Sequence, residues 1–234
     1  EVNILDSLLC RIKEKNEPLA YVLWYEMFSN HRFVVNSNVL IPRPESEYFF
    51  RVIEVFLARN IFSSLPLLLD VGCWSWCIGI SIFKLFEKFF SQCILVDVSQ
   101  DALEVAEMNI EQLCDDWMDI QCVASDMLSS VSLDSFADVF IVANLPYIPE
   151  WFDGVEREVS DWEPHLALYS GKDGLDHYKA LLSQVVVYEK KKIVVLMEMM
   201  RDQYEELKAW TLQLCIVVEW EMHETFHDKC LLCV

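Results

Sequence analysis

Asn144-Leu145-Pro146-Tyr147 directly follows an apolar run, Val139 to Ala143, that reads as a buried strand ending in a polar cleft. The tetrad suits chemistry on a planar amide or amine nitrogen. Such a nitrogen has its lone pair delocalised into a carbonyl or ring, so it needs acceptors that hold its N–H groups and aim it at an electrophile. The Asn144 side-chain oxygen and the carbonyl of Leu145 offer two acceptors. Pro146 has no N–H and a fixed φ, which stiffens the turn, and Tyr147 can lie flat against a planar substrate. Asn and Pro are also common in ordinary turns, so the tetrad has force only if other elements place a reactive partner beside it.

Those elements are legible as alternating strands and helices. Leu65 to Val71, Cys93 to Val98, Ile120 to Ala124, Val139 to Ala143 and Lys192 to Glu198 read as strands. Helical patterns intervene at Cys77 to Phe90, Gln100 to Leu113 and His177 to Lys191, and another follows at Asp202 to Gln213. Leu214 to Met222 and Lys229 to Val234 close as an antiparallel hairpin. The expected fold is α/β: a Rossmann-like, doubly wound, mostly parallel sheet of seven strands. Residues 1–64 read as a short helical and hairpin segment, the remnant of an N-terminal domain plus linker, ahead of a catalytic domain at 65–234.

In such sheets a ligand sits outside the carboxyl ends of the strands. Three acidic residues fall there: Asp70 before Gly72, Asp97 before Val98, and Asp126 before Met127. A carboxylate at the second strand end can accept both hydroxyls of a ribose, and one after the third can meet a nucleobase amine. Any one of them alone would read as a helix cap or a solvated end. Their recurrence after successive strands points to a nucleoside cofactor.

Composition limits the partners. The 234 residues are 54% apolar, carry a formal net charge of −20 and include nine cysteines. The charge opposes nucleic-acid binding, which draws on Lys and Arg, and favours a basic protein partner. Odd-numbered cysteines scattered in apolar runs suit free thiols in a reducing cytoplasm. No apolar stretch approaches the roughly 18 residues of a membrane span. His223, His227, Cys230 and Cys233 have metal-like spacing, but residues 230 and 233 of a strand face opposite ways, and no metal is expected.

Three segments look like the class I methyltransferases that use S-adenosylmethionine. They are Asp-Val-Gly-Cys-Trp-Ser-Trp-Cys-Ile-Gly-Ile-Ser (Asp70 to Ser81), Val-Asp-Val-Ser-Gln-Asp-Ala-Leu (Val96 to Leu103) and Asn-Leu-Pro-Tyr-Ile-Pro (Asn144 to Pro149). Two more, Val-Leu-Ile-Pro-Arg-Pro-Glu-Ser-Glu (Val39 to Glu47) and Glu163 to Tyr178, closely resemble segments of the release factor glutamine methyltransferases. Those enzymes methylate the side-chain amide of the glutamine in the Gly-Gly-Gln loop of peptide chain release factors. The resemblance implies that Asn144 and the Leu145 carbonyl hold that amide, with Pro146 and Tyr147 completing the site. It implies that Pro42 and Arg43 wall the substrate entrance. It also implies that S-adenosylmethionine lies against Asp70, Gly72, Cys73, Asp97, Val98, Asp126, Met127 and Asn144. Glu198 matches a Glu of the family's Glu-Ile-Gly segment, where a structural role is expected.

The chain departs from the family in the loop after the first strand. Trp74 and Trp76 stand where two further glycines are usual. Either the indoles fill the cofactor's volume, giving a non-catalytic binding protein, or they turn away and the loop takes another path. An adenine-amino methyltransferase acting on RNA or DNA would share the tetrad, but it calls for a basic groove.

Overall fold

The computed structural model describes residues 2–72, 74–116, 118–188, 190–213, 219–224 and 229–233. Helices α1 (Val2–Lys13) and α2 (Leu19–Leu23) lead into a hairpin of β1 (Tyr25–Phe28) and β2 (His31–Val34). A 3-10 turn at Pro44–Glu47 then runs into α3 (Tyr48–Ala58). The rest alternates: β3 (Leu67–Val71), α4 (Cys77–Phe86), β4 (Gln92–Asp97), α5 (Gln100–Leu113), β5 (Ile120–Ala124), β6 (Asp138–Ala143), α6 (Arg157–Trp162), α7 (Asp176–Val185), β7 (Lys192–Met200), α8 (Tyr204–Gln213), β8 (Glu221–Glu224) and β9 (Lys229–Cys233).

The sheet has seven strands in the order β5-β4-β3-β6-β7-β9-β8. The first five are parallel, and β9 pairs antiparallel with both β7 and β8. This is the doubly wound sheet the strand pattern predicts, including the closing hairpin. Residues 214–218, where the first strand of that hairpin was expected to begin, lie outside the described residues, and β8 starts at Glu221. The short helices α2 and α6 were not anticipated; both are too brief to show a 3.6-residue apolar period.

β3 and β6 are buried throughout, as strands covered on both faces must be. Phe56, Ile80, Phe83, Leu103 and Phe140 pack on one face of the sheet, and Met127, Tyr178, Leu181 and Leu207 on the other. The N-terminal hairpin is tied to this body through Asn109 of α5, fully buried, which accepts from Val34 N at 2.7 Å and donates to Val34 O at 3.1 Å. Register aligns Val71 with Val96 and with Ala143, so the loops after β3, β4 and β6 emerge together at the carboxyl edge.

Cys10, Cys77, Cys93, Cys114 and Cys122 carry free thiols. Among the described residues, no helix is long and apolar enough to cross a membrane, and no group of three His, Cys, Asp or Glu is placed to hold a metal ion. His227 and the side chains of Cys230 and Cys233 lie outside the described residues.

Candidate active site

A cavity of about 210 Å³ opens at the carboxyl edge, lined by Gly72, Trp74, Val96, Asp97, Val98, Ser125, Asp126, Met127, Leu166 and His177. Asp97 ends β4 with only 2% exposure. Its Oδ1 accepts from Ser99 N at 2.9 Å and its Oδ2 from Trp74 N at 3.4 Å. Two backbone donors leave lone pairs for a diol, since a carboxylate has about four acceptor sites. Burial pushes the Asp97 carboxyl up, against the backbone N–H groups of Ser99, Trp74 and Val98 that favour its charge. Burial holds the His177 imidazole, which also lines the cavity, below its ordinary value despite Asp176 and Asp126.

The loop between β3 and α4 forms the inner end of the cavity. Gly72 takes φ +66°, and a Cβ there would collide with Leu145 Cδ2. The Leu145 side chain thus packs on Gly72, which lines the cavity, although the Asn144-Leu145-Pro146-Tyr147 turn itself is not part of the lining. The two tryptophans take different paths. Trp76 (φ +61°) is fully buried in the core under the sheet, where its indole N–H donates to Ala102 O at 3.0 Å. Trp74 (φ +47°) lines the cavity, 4% exposed, and its indole N–H is buried without a hydrogen-bond partner among the described residues.

Asp70 stands outside the cavity lining. Its Oδ2 accepts from Gly79 N at 2.7 Å, in the first turn of α4. It thus satisfies a donor that the helix leaves open and places negative charge at the helix N-terminus, a structural task. Cys73 lies outside the described residues. Gly72, Asp97, Val98, Asp126 and Met127 line the cavity, whereas Asn144, also expected against the cofactor, does not. Val96, Ser125, Leu166 and His177 were not singled out from sequence. Leu166 and His177 belong to the 163–178 segment, whose resemblance was noted without assigning them a wall of this cavity.

Around the tetrad, Asn144 is half-buried and its Nδ2 donates to Ser46 Oγ at 3.4 Å. Ser46 Oγ donates to Glu198 Oε2 at 2.9 Å, and Tyr147 Oη donates to Glu198 Oε1 at 3.2 Å. Burial and the Glu198 charge push the Tyr147 phenol well above its ordinary value, so it stays a donor. The Leu145 carbonyl lies 3.3 Å from Tyr178 Oη, whose hydrogen bond to Glu198 O is the shorter one. The Leu145 oxygen therefore keeps acceptor capacity. The Tyr147 carbonyl accepts from Gln203 Nε2 at 2.8 Å and lies against Gly174, whose φ of +75° and missing Cβ permit the approach.

Pro42 is buried, and Arg43 turns to Glu163, with Nη2 to Oε1 at 2.6 Å. Glu163 also accepts from Ile41 N at 3.2 Å, and its side chain is 1% exposed. The ion pair clamps the 39–47 segment to the 163–178 segment.

The chain is 35% identical over 217 residues to the release factor glutamine methyltransferase of Bacillus subtilis, covering 91% of this chain and 73% of that protein. The corresponding protein of Koribacter versatilis is 34% identical over 200 residues, 83% of this chain and 68% of the relative. The chain belongs to the release factor glutamine methyltransferase family. A Mycoplasma mycoides relative of the same name aligns over 96% of this chain at 29% identity, covering 77% of that protein. No family model matches the chain. Among solved structures, the N-terminal domain of human METTL16 in complex with SAH superposes with a TM-score of 0.61 at 13% identity, covering 95% of each chain. The ribosomal protein L11 methylase of Lactobacillus delbrueckii superposes at 0.55 and 13%, covering 85% of this chain and 82% of that one. Both show the methyltransferase fold.

Proposed function

We propose that this chain transfers a methyl group from S-adenosylmethionine to the side-chain amide nitrogen of the glutamine in the Gly-Gly-Gln loop of a peptide chain release factor. The observation that carries it is the seating of Leu145 on Gly72. Gly72 lines a cavity whose walls suit a nucleoside, and Leu145 packs on Gly72, which supports a cofactor held beside the two amide acceptors, Asn144 Oδ1 and the Leu145 carbonyl.

The residues present fit the cofactor at its nucleoside end. Asp97 would hold the ribose diol, and Val98, Asp126 and Met127 would bound the adenine. At the inner end Trp74 narrows the cavity to a volume below the roughly 300–1,000 Å³ common for ligand pockets. A full-length cofactor would take its remaining room from the indole. When bound, the sulfonium supplies an activated methyl, so no metal is needed. Asn144 Oδ1 and the Leu145 carbonyl would accept the two amide N–H groups and fix the nitrogen's approach, Pro146 would keep the turn rigid, and Tyr147 would flank the amide plane. Orientation of this kind is worth several kcal/mol, up to about 7–11 in favourable intramolecular cases.

The acidic balance and free thiols support a basic protein substrate in the cytoplasm rather than a nucleic acid. The test is labelled-methyl transfer to an intact release factor, to the same factor with its loop glutamine changed to glutamate, and to RNA. Transfer to the intact factor alone is expected, and Asn144→Ala should abolish it while leaving S-adenosylhomocysteine affinity within about 2-fold. Transfer to RNA, or equal labelling of the glutamate factor, would overturn the assignment.

A further inference from the structure

The inference concerns the buried carboxylate behind the tetrad and rests on the methyl-transfer reading above. Glu198 lies in β7, two residues before its end at Met200, and is 3% exposed. It gathers two side-chain donors from distant parts of the chain, Ser46 from the 3-10 turn before α3 and Tyr147 from the tetrad itself. Ser46 is 2% exposed, and its oxygen also meets the Asn144 amide at 3.4 Å.

The direction of these bonds follows from elementary inventory. An ionised carboxylate only accepts, so the single Ser46 hydroxyl proton must point at Glu198. With that proton committed, the Ser46 oxygen offers Asn144 only lone pairs, and the Asn144 amide must present Nδ2 to it. The other end of the amide, Oδ1, is then the end turned away from Ser46, where the substrate's N–H groups need an acceptor. The same carboxylate fixes the Tyr147 ring through its hydroxyl. Reverse the polarity at position 198 and the amide can turn over, presenting a donor to the nitrogen end of the substrate amide, which itself brings only donors.

We propose that Glu198 and Ser46 are positioning residues that set the amide orientation of Asn144 and the pose of Tyr147, so that the site recognises a primary amide by its N–H groups. The distinction from scaffolding is that polarity, not bulk, is what the site reads. Glu198→Gln keeps the size and shape of the side chain, yet its NH₂ must face either Ser46 or Tyr147, both of which now donate. Ser46→Ala removes the oxygen that pins Nδ2, whereas Ser46→Thr retains it.

The experiment compares the parent, Glu198→Gln, Ser46→Ala and Ser46→Thr in steady-state methyl transfer to an intact release factor, with thermal unfolding and S-adenosylhomocysteine titration of each. The expected result is a drop in kcat/KM on the order of 10- to 100-fold for Glu198→Gln and Ser46→Ala, as for loss of one oriented hydrogen bond to a reacting group. The drop should come with S-adenosylhomocysteine affinity within about 2-fold of the parent, and Ser46→Thr should restore most of the rate. Folded Glu198→Gln with undiminished transfer would overturn the proposal, as would a loss that follows cofactor affinity. A parent that binds S-adenosylhomocysteine but methylates no release factor would instead remove the methyl-transfer reading, and this proposal with it.

Discussion

Replacing Trp74 by glycine should tighten binding of the full cofactor and loosen the fold by a similar amount. The indole is 96% buried, complementing an exposure of 4%. Burying a tryptophan removes about 150–250 Å² from water, or roughly 4–6 kcal/mol at about 25 cal/mol per Å², an upper figure because denatured chains are partly collapsed. Two terms oppose it. A bulky residue at positive φ is strained by about 1–3 kcal/mol, and the unpartnered buried indole N–H costs another 1–3 kcal/mol or so. The net hold on the ring is therefore about 1 kcal/mol. A ligand whose amino-acid tail takes the ring's place must supply that difference, about 5-fold in affinity. Glycine accepts φ +47° without strain and leaves the space open. Calorimetric titration of Trp74→Gly should show S-adenosylhomocysteine bound about 5-fold more tightly than by the parent, with adenosine, which has no tail, changed by less than about 2-fold. The midpoint of thermal unfolding should fall by about 2–4 °C, the same 1 kcal/mol read on a chain of this size. Equal or weaker binding of S-adenosylhomocysteine by the glycine variant would refute the reasoning, because the indole would then be a wall the cofactor uses.

Two other substitutions test the electrostatics. Burial raises the Asp97 carboxyl above its ordinary value, against the N–H groups of Ser99, Trp74 and Val98. Ribose hydroxyls donate to the ionised form, so S-adenosylhomocysteine affinity should be full above that raised pKa and fall as pH drops through it. Asp97→Asn should be weaker by about 1–3 kcal/mol at pH 7.5 and nearly flat with pH; a parallel pH profile in the variant would contradict the ribose assignment. Arg43→Met should leave Glu163 buried without its guanidinium. Because the Arg43 side chain is 29% exposed, the expected cost is about 1–3 kcal/mol rather than the larger value for a fully buried pair. Burial raises the Glu163 carboxyl while Arg43 opposes it. The gap between parent and variant in denaturant titration should therefore narrow as pH falls and the unpaired carboxyl takes up a proton.

The sheet was legible because its strands are local signals. Leu65 to Leu69 is apolar but for Pro66, Val139 to Ala143 is an unbroken apolar run, and Gln100 to Leu113 carries a clean helical face behind Ser99, whose hydroxyl accepts from Ala102 N at 3.2 Å. The strand-end carboxylates were legible as a set but not in their separate roles. Asp70 pairs in register with Leu95, two residues short of Asp97, so Asp70 meets Gly79 N at the start of α4 while Asp97 reaches the cavity. That register is set by the pairing of two strands, and no property of a single Asp encodes it. Similarly, the resemblance offers Arg43 for the substrate entrance, but its ion pair with Glu163, 120 residues away, could not be read from sequence.

The tryptophan loop shows why the remaining uncertainty could only be resolved in three dimensions. Trp74 and Trp76 are two residues apart, have the same side chain and share the left-handed backbone region, so propensity treats them alike. What separates them is one carbonyl. Ala102, in the first turn of α5, lies where the Trp76 indole can reach it, and that bond holds the ring in the core. Trp74 has no such acceptor among the described residues and rests against the cavity it narrows. The loop thus carries one anchored indole and one held mainly by burial. The second is the ring that a ligand's tail would displace, at a cost small enough to leave the cofactor site usable.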